Sequence, residues 1–181
     1  MNILISGGCK NGKSGFAQKI ACRLSANSNR YYVATMIPFD DEDRRRVARH
    51  IADRADMGFR TLEVGRDIAS CLDRADGNGT FLIDSITALL LNEMFTSHEG
   101  KADPRAAERC IRGLCEIAKR AENAVFVSDY IYSDAARYDE FTESYRRSLA
   151  SLDRALAKEC DTVIELCAGN VIIHKGGIEP C

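Results

Sequence analysis

The sequence lacks several features that would reveal its environment or its partners directly. It has no excess of charge of either sign, since 25 Lys and Arg residues stand against 27 Asp and Glu residues, for a formal net charge of -2. Nucleic acid and anionic membrane surfaces are therefore not favoured as partners. No apolar run approaches the roughly 20 residues of a membrane span, and the apolar N-terminal run follows no basic region or cleavage-site pattern. We expect a cytoplasmic protein without a membrane span.

Cysteine spacing typical of zinc sites is also missing. The eight cysteines are Cys9, Cys22, Cys71, Cys110, Cys115, Cys160, Cys167 and Cys181. No two of them have C-x-x-C spacing, and no histidine lies at ligand spacing from a cysteine pair. We expect free thiols that act as small apolar side chains in a reducing compartment.

The composition is that of a globular chain with one core. With 181 residues, 45% of them hydrophobic, the chain is long enough for one well-buried core and short for two, so we expect residues 1–181 to form a single domain. Apolar strand-like runs alternate with helical stretches, without repeats or low-complexity segments. This alternation predicts an α/β fold with a mostly parallel sheet, helices on both faces and right-handed crossovers. Residues 162–166 and 171–174 predict a closing antiparallel hairpin.

Residues 7–14 read G-G-C-K-N-G-K-S and match the phosphate-binding P-loop pattern G-x-x-x-x-G-K-[ST]. An apolar run precedes them and a helical apolar pattern follows, which is the context that the P-loop requires. Glycine lets the loop wrap its N–H groups around phosphate oxygen atoms at the positive end of a helix. Lys13 would reach the β- and γ-phosphates, and the Ser14 hydroxyl would complete a Mg²⁺ shell. The alternative is a glycine-rich turn with a solvated Lys13. The predicted phosphate-binding residues are Gly7, Gly8, Cys9, Lys10, Asn11, Gly12, Lys13 and Ser14.

A second strand is predicted at residues 31–35, and a helix runs from the acidic residues 40–43 to about residue 56. The apolar stripe of this helix, which we expect to face the core, is Val47, Ile51 and Ala55. The neighbouring polar stripe is Asp43, Arg46, His50 and Arg54. A short strand at residues 59–64 and a brief helix at residues 67–74 should follow.

Residues 80–83 form an apolar run that ends at Asp84. This is the form of a Walker B element, in which a buried strand delivers a carboxylate beside the metal of the P-loop. Alternatively Asp84 or Ser85 caps the helix 86–95, and both interpretations hold together if Ser85 is the cap. A further strand, residues 124–128, is followed by Asp129 and Tyr130 at the edge where ligands bind in open α/β sheets.

The remaining segments indicate structure rather than chemistry. Polar turns are predicted at residues 27–30 and 77–79, and a loop at residues 96–101 contains a solvated His98. Asp103 and Pro104 should open a helix. A long helix from about Asp139 carries a stripe expected to be core: Phe141, Tyr145, Leu149, Leu152 and Leu156. His174 on the last strand is interpreted as structural.

Five segments together resemble the adenosylcobinamide kinase / adenosylcobinamide-phosphate guanylyltransferase family of cobalamin biosynthesis. They are residues 7–14, Y-V-A-T at 32–35, D-D-E at 40–42, the R-x-x-x-H-x-x-x-R spacing of Arg46, His50 and Arg54, and F-R-T-L-E at 59–63. Their order matches over the first third of the chain. The strand ending at Asp84 and the last two strands extend the similarity over most of the rest.

The resemblance implies a P-loop NTPase sheet of the RecA type, a homotrimer and two activities. ATP or GTP would phosphorylate the aminopropanol hydroxyl of adenosylcobinamide, and GTP would then transfer GMP to that phosphate through a guanylylated histidine. His50 matches that histidine, and a neutral imidazole is a suitable nucleophile. Arg54 would bind the charge that builds as pyrophosphate leaves.

The same matching implies a nucleotide site beyond the P-loop. Its residues are Ala34, Thr35, Met36, Ile51, Ala52, Asp53, Arg54, Glu63 and Asp84. Glu63 would accept hydrogen bonds from guanine, and Ser14 with Asp84 would hold Mg²⁺.

The chain departs from the family pattern where the corrinoid or a neighbouring subunit would bind. Ala55 and Phe59 replace the usual Pro and Trp, Asp129-Tyr130 replaces Asn-Glu, and Asp153 lies where the long helix usually has Asn. Two alternatives stay open. The chain could be a P-loop kinase that lacks guanylyl transfer or uses another acceptor, or a nucleotide-dependent regulatory module without turnover.

Overall fold

Strands and helices alternate along the chain, as the sequence pattern predicts. The computed structural model describes residues 1–26, 28–75, 78–95, 102–132 and 135–178. The strands are β1 (Asn2–Gly7), β2 (Arg30–Ala34), β3 (Phe59–Glu63), β4 (Thr80–Asp84), β5 (Asn123–Asp129), β6 (Thr162–Cys167) and β7 (Asn170–Lys175). The α-helices are α1 (Lys13–Ser25), α2 (Asp41–Asp53), α3 (Ile86–Met94), α4 (Ala106–Arg120) and α5 (Glu140–Glu159). Two 3₁₀ segments span Ala55–Met57 and Ile68–Arg74.

One seven-stranded sheet runs in the order β3-β2-β4-β5-β1-β6-β7. Every neighbouring pair from β3 to β6 is parallel, and β6 with β7 is antiparallel. The predicted mostly parallel sheet with a C-terminal antiparallel hairpin is therefore confirmed. Because β1 to β6 run in the same direction, their carboxyl ends share one edge of the sheet. β5 separates β1 from β4 at that edge.

The strands bury side chains on both faces, which explains their continuous apolar runs. On one face Ile3 and Ile5 of β1 pack with Ala17 and Ile20 of α1. On the other face Leu4 belongs to a larger cluster that α3, α4 and α5 cover. Alternate residues of one strand thus pack into two different cores, because successive side chains point to opposite faces of the sheet.

Local capping signals place several helix ends. Ser85 Oγ accepts a hydrogen bond from Ala88 N, so Ser85 caps α3 and Asp84 is not needed for that role. Asp139 caps α5 through Thr142 N, as expected for a helix that starts near that residue. The helix predicted to open at Asp103-Pro104 begins slightly later, at Ala106. The brief helix at 67–74 is a 3₁₀ segment.

The apolar stripe of α2 does not face the core, so that prediction is wrong. Within Asp41–Asp53, all of which is described, no residue is buried, and Ile51 is 47% exposed. Ala55 is also exposed, in the 3₁₀ segment that follows once α2 has ended at Asp53. The prediction failed because periodicity shows which side chains share a face of a helix but not whether another element covers that face.

The long stripe on α5 is core only in part. Leu149, Leu152 and Leu156 are buried, whereas Phe141 is 42% exposed and stacks on Phe95 at 4.1 Å between ring centroids. His174 pairs with Glu165 across the hairpin at 2.8 Å, which is a structural contact. Predictions for Asn27, Gly77, His98 and Cys181 fall outside the described residues. The described cysteines are all free thiols. No helix in the described residues is long and apolar enough to span a membrane.

Candidate active site

The P-loop joins the carboxyl end of β1 to the start of α1. Gly12, immediately before α1, has φ +87°, a left-handed conformation that favours glycine, and Lys10 is also left-handed at φ 59°. Gly12 has no side chain to cap the helix, and no acidic residue lies in the first turn of α1. The first N–H groups of α1 therefore remain available to an anion at the positive end of the helix.

Lys13 is directed back over the loop rather than into solvent, with only 5% of the residue exposed. Its Nζ donates to Gly8 O at 2.6 Å and to Asn11 Oδ1 at 3.4 Å, and it forms an ion pair with Asp129 Oδ1 at 2.7 Å. The alternative of a solvated Lys13 is therefore wrong. Asn11 Nδ2 in turn donates to Leu166 O on β6, so the loop is fixed from both neighbouring strands.

Asp129 joins the candidate site through its ion pair with Lys13, a role that the sequence interpretation did not assign. It ends β5, which lies beside β1, and it is paired in register with Gly7. The signal was an acidic residue at the carboxyl end of a buried strand. That signal could not be used without the strand order, which places β5 rather than β4 next to the P-loop strand.

Asp84 ends β4, one strand further from the P-loop. Its Oδ2 accepts a hydrogen bond of 2.7 Å from Tyr32 OH on β2. Burial, and after it the Asp84 carboxylate, raise the pKa of Tyr32 well above its usual value, so the hydroxyl stays a donor. Tyr32 therefore orients the carboxylate that the Walker B interpretation requires, a contact that the sequence did not indicate.

Arg54 lies against the sheet rather than on an exposed polar stripe. The residue is 5% exposed, its guanidinium lies 3.8 Å from the centroid of the Tyr32 ring, and Nη2 donates to Thr61 Oγ1 at 3.1 Å. Stacking of a planar guanidinium on an aromatic face is favourable in itself. Arg54, Tyr32 and Asp84 thus form one connected cluster between the end of α2 and the end of β4.

His50 lies in the last turn of α2 and is half-buried. In the described part of the chain no hydrogen bond or ion pair engages its imidazole. The neighbouring Ile51, Ala52 and Asp53, which the resemblance places at the nucleotide, are all exposed. These side chains are available to a ligand, and within the described ranges no hydrogen bond or ion pair joins them to the P-loop.

Four other predicted residues lie at the carboxyl edge. Glu63 ends β3 with its side chain exposed, in register with Ala34 at the end of β2. Thr35 is fully buried and uses its hydroxyl structurally, donating to Ser85 O at 2.7 Å and accepting from Ser85 N at 2.8 Å. Met36, the next residue, is half-buried. The parallel sheet therefore brings the ends of β1 to β5 to one edge, while His50 is on the helix that follows β2.

The groups that could bind a metal at this edge are oxygen donors, the Ser14 hydroxyl and the Asp84 carboxylate, whereas the Asp129 carboxylate is already paired with Lys13. Such a set suits a hard cation, and Mg²⁺ commonly uses one or two carboxylates together with substrate phosphates. Within the described ranges no cluster of three or more His, Cys, Asp or Glu residues forms a site by itself. A cation here would thus share its ligands with a bound phosphate.

Comparisons with known proteins show what the chain is similar to. The family model described as cobinamide kinase / cobinamide phosphate guanyltransferase matches residues 3–173. The bifunctional adenosylcobalamin biosynthesis protein CobP of Pseudomonas aeruginosa is 29% identical over 177 residues, which is 97% of this chain and 98% of that protein.

Two solved structures resemble the fold. One is an ATPase domain, which matches with a TM-score of 0.55 at 15% identity and covers 97% of this chain and 76% of that one. The other is the flagellar accessory protein FlaH from Methanocaldococcus jannaschii, which matches with a TM-score of 0.50 at 15% identity and covers 97% and 78%. At this identity the likeness concerns the fold alone. The expected P-loop NTPase fold is confirmed.

Proposed function

The chain belongs to the cobinamide kinase / cobinamide phosphate guanyltransferase family, and on that basis we propose that it is a bifunctional enzyme of cobalamin biosynthesis. It would phosphorylate adenosylcobinamide with ATP or GTP and then transfer GMP from GTP to adenosylcobinamide phosphate through guanylylated His50. The observation that carries this proposal is the P-loop, whose buried Lys13 is directed over the loop at the carboxyl edge. The match to CobP along nearly its whole length supports the pair of activities.

In the kinase step the loop N–H groups and Lys13 would bind the β- and γ-phosphates. Lys13 would exchange its contact with Asp129 for phosphate oxygen atoms, and its charge would stabilise the charge that develops on the transferred group. The acceptor hydroxyl attacks the γ-phosphorus and loses its proton to solvent, a P–O bond forms, and the bond to the β-phosphate oxygen breaks with release of the nucleoside diphosphate. Mg²⁺ bound through Ser14 and Asp84 would neutralise phosphate charge.

In the guanylyl step an imidazole nitrogen of His50 would attack the α-phosphorus of GTP and expel pyrophosphate. The phosphate of the corrinoid then attacks the same phosphorus, the N–P bond breaks, and His50 is regenerated. Because no residue of α2 is buried, the helix can adjust its position at little cost in core packing. Arg54 would exchange its contacts with Tyr32 and Thr61 for pyrophosphate oxygen atoms, and Glu63 would bind the guanine edge.

The test is covalent labelling with α-labelled GTP and Mg²⁺. We expect an acid-labile, alkali-stable label on the protein that disappears in His50→Ala. His174→Ala is the matched control, since His174 is paired with Glu165 on the hairpin and should leave labelling unchanged. Absence of label on the unmodified protein, or full labelling of His50→Ala, would contradict guanylyl transfer through His50.

Transfer of the γ-phosphate from ATP or GTP to cobinamide tests the kinase activity and both alternatives. Turnover that falls by about a hundredfold or more in Lys13→Ala would exclude a non-catalytic module, since one charge-stabilising donor is worth about that much. Turnover without protein labelling would favour a kinase that lacks guanylyl transfer. The homotrimer, the cytoplasmic location and the single domain stay predictions.

A further inference from the structure

The charge of the P-loop lysine is already matched inside the protein. An ammonium group has three N–H donors, and the three oxygen neighbours of Lys13 Nζ are Asp129 Oδ1, Gly8 O and Asn11 Oδ1. Two of these acceptors are neutral, whereas Asp129 is a carboxylate. A phosphate that binds Lys13 must therefore displace an anion of the protein itself or lie beside it.

The Asp129 carboxylate cannot withdraw far once it is displaced. Its backbone is held in register with Gly7 of β1, and its N–H donates to Thr87 Oγ1 at 3.0 Å. The next residue continues the attachment, with Tyr130 N donating to Gly7 O at 3.3 Å. The side chain has only two rotatable bonds, and its Oδ1 lies 2.7 Å from Lys13 Nζ at the loop. Asp129 consequently remains beside any phosphate that Lys13 accepts.

We propose that Asp129 makes nucleotide binding to this P-loop depend on a divalent cation by repelling metal-free phosphates. A triphosphate without a cation brings its full negative charge against the displaced carboxylate. The Mg²⁺ complex of the triphosphate carries a cation that offsets the phosphate charge. The Asp129 carboxylate then lies near a positive charge as well as near the phosphates. The inference rests on the proposed function only in taking residues 7–14 as the phosphate site.

The expected effect is large enough to measure. A tenfold change in affinity corresponds to about 1.4 kcal/mol, and two like charges a few ångströms apart near a protein surface repel by more than that. Removing the carboxylate charge should therefore tighten the binding of metal-free nucleotide by at least about tenfold. The binding of the Mg²⁺ complex should change by less than about threefold, because the cation already offsets the repulsion.

The experiment measures GTP binding by calorimetry with Mg²⁺ and, separately, with EDTA. Asp129→Asn should reduce the difference in GTP affinity between the Mg²⁺ and EDTA conditions. Asp129→Glu, which keeps the charge, should show the same difference as the unmodified protein. Asp73→Asn, which removes an exposed carboxylate elsewhere, should behave as the unmodified protein. Thermal melting of each variant checks that the fold is kept.

Each outcome bears on one claim. Unchanged metal-free affinity in Asp129→Asn, or equal tightening in both conditions, would overturn the inference. Weakening of the Mg²⁺ complex by about tenfold or more would also overturn it, since Asp129 would then be a metal ligand rather than a repelling group. If the unmodified protein does not bind GTP with Mg²⁺, the proposed function itself fails.

Discussion

Replacing Asp153 by asparagine should stabilise the protein at neutral pH. Asp153 lies on α5 and is 7% exposed. Its Oδ2 accepts a hydrogen bond of 2.7 Å from Tyr132 OH, but Oδ1 is buried without a partner, as is the hydroxyl of Ser128. An ionised carboxylate can only accept, and although the Ser128 hydroxyl is close enough to lower the pKa of Asp153, it makes no hydrogen bond of good geometry to Oδ1. Asparagine has nearly the same shape and could accept from Tyr132 while its amide donates to Ser128.

The pH dependence follows from the pKa of Asp153. Burial raises this pKa, Asp129 raises it further, and the hydroxyls of Tyr132 and Ser128 offset only part of the effect. The folded state thus holds the proton more tightly than the unfolded chain does. The resulting stability is fully present below the unfolded pKa and is lost as pH rises from that value through the folded pKa. Asparagine does not titrate, so its advantage should grow as pH rises through this window.

The magnitude comes from the unsatisfied buried oxygen, which costs about 1–3 kcal/mol. For a chain of this size that corresponds to a Tm higher by about 3–10 °C at neutral pH. Thermal melting from about pH 3.5, below the ordinary pKa of the carboxyl, to about pH 8 on the unmodified protein and Asp153→Asn measures the difference. Glu159→Gln, an exposed carboxylate on the same helix, is the control and should show little change. A difference that does not vary with pH, or a less stable Asp153→Asn at neutral pH, would refute the reasoning.

Two further predictions concern the loop and the thiols. Gly7→Ala places a Cβ 2.5 Å from Leu166 O, so the loop must shift. GTP binding should therefore weaken by at least about tenfold in the calorimetric assay. Gly15→Ala is the control and should bind GTP normally, because its Cβ meets nothing within 4 Å. Burial raises the pKa of three thiols to about 12: Cys71, Cys110 and Cys160. Peptide mapping after brief maleimide treatment should therefore find label on the exposed Cys9 and Cys167 long before these three, and equal labelling would contradict their burial.

The sequence alone predicted the features that depend on neighbouring residues along the chain. The P-loop between β1 and α1, the Ser85 and Asp139 caps and the C-terminal hairpin all rest on local patterns of glycine, capping side chains and alternation. The alternation of strands and helices was enough for the parallel sheet as well, because a crossover helix joins parallel strands of one sheet. The family resemblance added His50 and Glu63, to which no local pattern assigns a role.

Tertiary structure decided which charged groups meet. Asp129 contacts Lys13 only because the chain inserts β5 between β1 and β4, and no spacing in the sequence states that order. The burial of Arg54 against Tyr32 and the exposure of the apolar stripe of α2 also depend on contacts between segments that are distant in sequence. Periodicity records which side chains share a face, whereas the partner of that face is set by packing between segments distant in sequence.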